Sequence, residues 1–144
     1  MYIKQLYTGC ISEAAYYIEH NGEAAVIDPL RDIDEYLQLA SERKSRIRYI
    51  FETHFHADFV SGHIDLGKAT GAPIIYGPGT NTNFPVHVAK DGETFKLGGL
   101  TIEVLHTPGH TLESTCYLLK DENGKDYCVF TGDTLFVGDV GRPD

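Results

Sequence analysis

Two histidines and an aspartate alternate in the run Thr53-His54-Phe55-His56-Ala57-Asp58-Phe59, directly after the β-rich stretch from Arg46 to Glu52. Where a strand runs into a loop, residues i and i+2 point the same way, so His54, His56 and Asp58 can converge on one small volume. Imidazoles and a carboxylate brought together suit a divalent metal better than a packed core. Two further runs repeat the layout. Leu105-His106-Thr107-Pro108-Gly109-His110-Thr111 and Phe130-Thr131-Gly132-Asp133-Thr134 each carry an apolar stretch into a Gly-containing turn with a candidate ligand. Loops at strand ends, held by a rigid scaffold, are where such groups tend to sit.

The rest of the chain reads as that scaffold. Tyr2 to Tyr7 alternates as a strand, and Ala15–Glu19 and Ala24–Asp28 flank His20-Asn21-Gly22-Glu23, a hairpin signal. Asp32 is placed to cap a helix from Ile33 to Lys44 with Ile33, Tyr36, Leu37 and Ala40 on one face. Arg46–Glu52 is the next strand. A second helix is expected from Phe59 to Ala69, stopping at Thr70-Gly71. Ile74–Tyr76 is a short strand and Gly77–Pro85 a loop. Glu93–Leu97, Leu100–Leu105, Ser114–Leu119 and Tyr127–Phe130 are strands, separated in part by turns at Gly98-Gly99 and Asn123-Gly124. Strands with helices inserted predict an α/β architecture, a mixed sheet covered by helices.

Composition narrows the function classes. At 144 residues the chain is at most one domain. Its mean hydropathy is negative and it has no apolar run near the ~18 residues a span needs, so no membrane partner is expected. A net charge of −9 argues against nucleic acid and anionic membranes. Met1–Cys10 lacks the apolar core of a signal peptide, and three unpatterned cysteines (Cys10, Cys116, Cys128) suggest no disulfide framework. A reducing, cytoplasmic location is expected, with Cys116 and Cys128 as small core residues.

The ordered set T-H-x-H-x-D, T-P-G-H-T and F-T-G-D-T resembles the metallo-β-lactamase superfamily. The strings Glu52-Thr53-His54-Phe55-His56-Ala57-Asp58-Phe59-Val60-Ser61-Gly62-His63 and Gly132-Asp133-Thr134-Leu135-Phe136…Gly141-Arg142-Pro143-Asp144 resemble its persulfide dioxygenases, especially forms fused to rhodanese domains. The resemblance implies an αββα sandwich with the metal at one edge between two sheets. Residues 1–144 would be the N-terminal and central part of that single domain, incomplete at the C-terminus, because relatives carry more chain after Gly-Arg-Pro-Asp. A half sandwich would expose an apolar sheet face, which suggests a fragment or a chain that completes itself as a homo-oligomer.

Carried over residue by residue, the resemblance makes His54, His110 and Asp133 the ligands of one Fe(II). Two imidazoles, one carboxylate and open positions form the facial triad of non-haem iron oxygenases; zinc could occupy the same site after purification. His56 and Asp58 would stay nearby, hydrogen-bonding to ligands or water, or serve as additional ligands. Thioester hydrolases of the glyoxalase II type carry a histidine of a second metal where this chain has Phe59, which cannot ligate, so one metal is expected. Arg142 either makes a structural salt bridge to Asp144 or the sheet edge, or lines the substrate region and meets an anionic thiol. The expected reaction is oxidation of glutathione persulfide, or a similar small persulfide, by dioxygen to sulfite and thiol. The alternatives are a zinc-dependent thioester hydrolase of the glyoxalase II type and a metal-binding fragment without turnover. A rhodanese domain occurs in relatives and is absent here. Of the other histidines, His63 reads as packing or capping on a helix, His106 as a strand-end polar residue, and His20 and His87 as solvated surface. Tyr16, Tyr17 and Tyr76 read as packing.

Overall fold

In a computed structural model, residues 1–8, 11–53, 62–78, 85–106, 115–131 and 135–137 are described, with only the backbone of 7–8, 11–14 and 135–137. Alternation organises the first half. β1 (Tyr2–Thr8), β2 (Ile11–His20) and β3 (Glu23–Ile27) form an antiparallel meander, and β4 (Arg46–Phe51), β5 (Ile74–Tyr76) and β6 (His87–Val88) add to it in parallel. The strand order is β1-β2-β3-β4-β5-β6. Parallel neighbours need crossovers, and α1 (Asp34–Glu42) and α2 (His63–Thr70) supply those around β4. The second sheet is antiparallel, in the order β11-β10-β9-β8-β7, from β7 (Thr94–Leu97), β8 (Leu100–His106), β9 (Thr115–Lys120), β10 (Asp126–Phe130) and β11 (Leu135–Val137).

Strands β2 to β5 of the first sheet feed two cores, because successive side chains face opposite ways. Tyr16, Ile18, Ala25, Ile27 and Phe51 pack against Ile102, Val104, Tyr117, Leu119 and Phe130 of the second sheet. Their neighbours Tyr17, Ala24, Val26 and Ile50 pack under Tyr36, Leu39 and Ala40 of α1 and Leu66 of α2. The layers run helix, sheet, sheet, and both helices of the described residues lie on the first sheet. This is the expected sandwich without an observed outer layer on the second sheet. The described outer face of that sheet is less apolar than anticipated. It interleaves half-buried Leu105, Cys116 and Leu118 with Thr101 and the Lys120–Glu103 ion pair at 2.9 Å. Cys116 is therefore not a core residue, whereas Cys128 is, and burial pushes its thiol up to about 12.

Several expectations shift in detail. β6 and β11 carry no sequence pattern and exist by pairing with β5 and β10. α1 starts at Asp34 after Ile33; Asp32 sits one position too early to cap it and accepts the Asp34 N–H at 3.1 Å. Leu39, not Leu37, completes its buried face. α2 starts at His63, with Gly62 as its non-helical first flank, and ends at left-handed Gly71 (φ 74°). His20 is buried, not solvated: the Gly98-Gly99 turn folds over it, Gly99 N–H donates to its Nδ1 at 2.8 Å, and Nε2 lies 3.1 Å from Glu122 Oε1. His87 is exposed as expected and pairs with Glu93 at 2.7 Å. Tyr16, Tyr17 and Tyr76 are buried in packing. No helix of the described residues is long and apolar enough to cross a membrane.

Candidate metal centre

The proposed ligands His54, His56, Asp58, His110 and Asp133, together with Phe59 and Arg142, lie outside the described residues. The residues that launch them are described, and they meet at one end of the sandwich. β4 runs through Glu52 to Thr53, one residue before His54. β8 ends at His106 and β9 begins at Thr115, and these two pair directly. Phe130 pairs with Tyr117, which places Thr131, two residues before Asp133, on the same edge. The two sheets are tied here: Thr115 N–H donates to Thr53 O at 2.7 Å. Gly77, just past β5, lies so close that a Cβ on it would sit 1.7 Å from Thr115 Oγ1. Only a residue without a side chain lets β5 and β9 approach in this way.

Beneath these strand ends lies a buried polar layer. Asp28, at the end of β3, takes the Thr53 N–H on Oδ1 at 2.9 Å and the Thr53 hydroxyl on Oδ2 at 2.6 Å. The Tyr117 hydroxyl donates to Glu52 O, and Ile75 O lies 3.3 Å away. His63, the first residue of α2, presents Nδ1 to Glu52 Oε1 at 3.9 Å and Nε2 to the Tyr76 hydroxyl at 3.4 Å. Glu52, Thr53, His63, Tyr76 and Tyr117 are all at or below 2% exposure. Burial, then the Asp28 and Glu52 carboxylates, hold the Tyr117 phenol well above its usual range, so it stays a neutral donor. Tyr36, whose hydroxyl accepts the Leu30 N–H at 2.8 Å, is raised for the same first reason.

Among the described residues no group of three His, Cys, Asp or Glu could hold a metal. The surroundings nevertheless fit one. Segments bearing two or more imidazoles and a carboxylate start from strand ends already drawn together, over buried carboxylates that complement a cation; histidine and carboxylate donors suit zinc and iron alike. His63 faces Glu52 and Tyr76 at the head of α2, consistent with packing, and His106, at the end of β8, donates its backbone N–H to Asp91 at 2.9 Å. The residues that sequence reasoning overlooked are Asp28, Glu52 and Tyr117. Asp28 did leave a signal, a carboxylate closing the apolar run Ala24–Ile27, where a buried charge needs partners.

Comparison with known proteins bears on these readings. The metallo-β-lactamase superfamily model matches residues 8–144. A probable hydroxyacylglutathione hydrolase of Schizosaccharomyces pombe is 34% identical over 95% of this chain and 54% of its own length. Two solved structures align well. A metallo-β-lactamase from Staphylococcus aureus is 40% identical, with a TM-score of 0.84, covering 100% of this chain and 46% of its own. ETHE1 from Myxococcus xanthus is 33% identical, with a TM-score of 0.73, covering 83% of this chain and 52% of its own. The chain thus spans about half the length of the curated relatives it matches. Seven curated relatives from yeasts, a plant and bacteria bear the name hydroxyacylglutathione hydrolase, two of them as probable, and they include cytoplasmic and mitochondrial forms.

These names overturn the sulfur dioxygenase expectation and leave the expected Fe(II), persulfide and dioxygen without support, while a metal and a small-molecule thiol substrate remain consistent with them. That expectation rested on the likeness of the strings Glu52–His63 and Gly132–Asp144 to persulfide dioxygenases, whereas Phe59 bears only on how many metals bind. The family resemblance itself holds, as do the sandwich and the metal-binding character that come with it, and ETHE1 stands among the structural neighbours. On its sequence and its fold, this chain belongs to the metallo-β-lactamase superfamily.

Proposed function

We propose that residues 1–144 are the N-terminal and central part of a metal-dependent hydrolase that cleaves hydroxyacyl thioesters of glutathione or a similar small thiol. One observation carries this reading: the curated relatives, 30–35% identical across most of the chain, are named hydroxyacylglutathione hydrolases. Water adds to the thioester carbonyl carbon, the C–S bond breaks, and the departing sulfur takes up a proton to leave acid and thiol. In this reading His54, His110 and Asp133 hold one zinc, with His56 and Asp58 orienting ligands and water or completing the coordination. Zinc there supplies Lewis acidity that makes water a competent nucleophile near neutral pH. Phe59 leaves the second-metal position without its histidine, so a single-metal site is the form proposed for this chain. Asp28, Glu52 and Tyr117 exclude water beneath the site and keep the strand ends fixed. Arg142 offers a guanidinium to the carboxylates of the thiol.

The test is thiol release from a hydroxyacylglutathione thioester by the zinc-loaded chain. Metal-dependent release that falls at least a hundredfold in His110→Ala supports the reading. A chain that binds zinc stoichiometrically and releases no thiol above the uncatalysed rate overturns it.

A further inference from the structure

Two Asn-Gly pairs sit in hairpin turns of the described residues, and their glycines are held differently. Asn123-Gly124 lies between β9 and β10. The Gly124 N–H donates to Asp121 O at 3.0 Å, and the Asn123 N–H donates to Asp121 Oδ1 at 2.9 Å. Asn21-Gly22 joins β2 to β3. Both residues are exposed, and among the described residues neither the Gly22 N–H nor the Asn21 side chain has a hydrogen-bond partner.

Asparagine before glycine can close on itself, because glycine has no side chain to block the approach. The glycine backbone nitrogen gives up its proton and bonds to the asparagine Cγ. The Cγ–Nδ2 bond breaks, and the side-chain amide nitrogen leaves as ammonia. Water then opens the cyclic imide at one of its two carbonyls. One product is aspartate; the other is isoaspartate, in which the main chain runs through the side-chain carbon. No oxidant or reductant takes part. An N–H engaged in a hydrogen bond must be freed before it can be deprotonated and attack. The Asp121 carbonyl therefore protects Gly124, and no acceptor among the described residues protects Gly22.

We propose that Asn21-Gly22 is a site of spontaneous deamidation, and that its isoaspartyl product loosens the end of the sandwich away from the candidate metal centre. His20 pairs directly with Glu23, so Asn21 and Gly22 alone make the turn. Both are left-handed, at φ 52° and 81°, the combination that a type I′ hairpin turn requires. Isoaspartate adds a carbon to this short connection and breaks the fit. The flanking residues hold the other sheet: His20 Nδ1 accepts the Gly99 N–H and Glu23 Oε1 accepts the Gly98 N–H, each at 2.8 Å. Gly22 O accepts the Arg46 N–H of β4 at 2.9 Å. The contact has no slack, since a Cβ on Gly98 would lie 2.3 Å from His20 O. One chemical event at an exposed tip thus reaches the bonds that join the β2–β3 hairpin to β4 and to the β7–β8 turn.

The wild-type chain is aged at mildly alkaline pH, folded and in urea. Asn21 and Asn123 are followed by peptide mapping with mass spectrometry, and an isoaspartyl-specific methyltransferase marks the isoaspartyl product. In the folded chain Asn21 is expected to disappear about fivefold or more faster than Asn123, whose glycine N–H must first be released, and the two rates should converge in urea. Aged protein, separated from fresh by its added negative charge, is expected to unfold at a lower denaturant concentration. Asn21→Gly keeps the left-handed turn without a side-chain amide, and should age without that loss. Persistence of Asn21, or its loss no faster than that of Asn123 in the folded chain, overturns the site. Isoaspartate at position 21 with an unchanged unfolding midpoint, or an equal loss in aged Asn21→Gly, overturns its effect on the fold.

Discussion

The sandwich has two ends built from the same bond and put to different use. At the far end the sheets are sewn shut. Glu23 Oε1 accepts the Gly98 N–H at 2.8 Å, His20 Nδ1 accepts the Gly99 N–H at 2.8 Å, and Arg48 and Glu122 brace those two acceptors. β7 turns back into β8 there through Gly98-Gly99. At the other end the acceptor is Asp28 and the donor is Thr53, just past β4. Side-chain acceptors on backbone N–H groups thus join the sheets at one end and fix the residue that follows β4 at the other.

Glycine substitutions break the comparison most sharply. Gly98→Ala combines a left-handed φ of 58° with a Cβ placed 2.3 Å from His20 O, backbone that cannot step aside. A loss of roughly 3 kcal/mol in denaturant unfolding is expected, with no rescue by trimming side chains. Gly77→Ala meets the Thr115 side chain first, so a loss of roughly 2 kcal/mol is expected, and part of it should return in Gly77→Ala/Thr115→Ala. Equal, unrescuable losses at both positions would mean that the two ends are packed alike and that the distinction is false.

Tyr117→Phe probes the buried layer with no change of shape. It removes the hydroxyl that Glu52 O accepts, beside Ile75 O, in a fully buried setting. About 1–3 kcal/mol should be lost. A loss below ~0.5 kcal/mol would show that water replaces the phenol and that the layer beneath the site is wet.

How far the sequence carried this picture follows the range of the interactions. Alternation in Tyr2–Tyr7 and the Asn21-Gly22 hairpin are local, and both were readable. So was the Gly71 stop of α2, a left-handed position with no side chain to strain. β6 was not readable, because His87 and Val88 are exposed and become a strand only by lying beside Ile75 and Tyr76. The start of α2 was misplaced at Phe59 because helical spacing continues upstream while the Pro29 contact holds Gly62 out of the helix. In the same way, the candidate ligands stand out by residue type, but their supports do not. Asp28 meets Thr53 across 25 positions and Tyr117 meets Glu52 across 65, contacts that exist only once two sheets are stacked. The reaction class was read from the resemblance of the strings around His54 and Asp133 to one branch of the superfamily, and residues of metal-ligating type do not by themselves choose among its reactions.

The smallest effect belongs to the charge at the closed end. The Gly98 N–H holds the Glu23 carboxyl below its ordinary range, against the opposing effect of burial and with help from Arg48. A carboxyl depressed in the folded state binds fewer protons there than in the unfolded chain, so its contribution is complete above the unfolded value of about 4.3 and disappears as pH falls from there through the folded one. Glu19, where Arg43 and Tyr17 outweigh burial, and Glu93, held by the Lys90 N–H, shift in the same direction. The informative quantity is therefore the difference between wild type and Glu23→Gln, measured by urea unfolding from pH 7 to pH 3. Glutamine keeps an acceptor for Gly98 and loses the charge. With the Glu23 side chain 33% exposed, solvent screening limits the difference at pH 7 to under about 1 kcal/mol. It should shrink towards zero as the solution is acidified below pH ~4. A difference that stays constant with pH would mean that shape and hydrogen bonding alone close this end, as they do at Tyr117, and would remove charge from the contrast between the two.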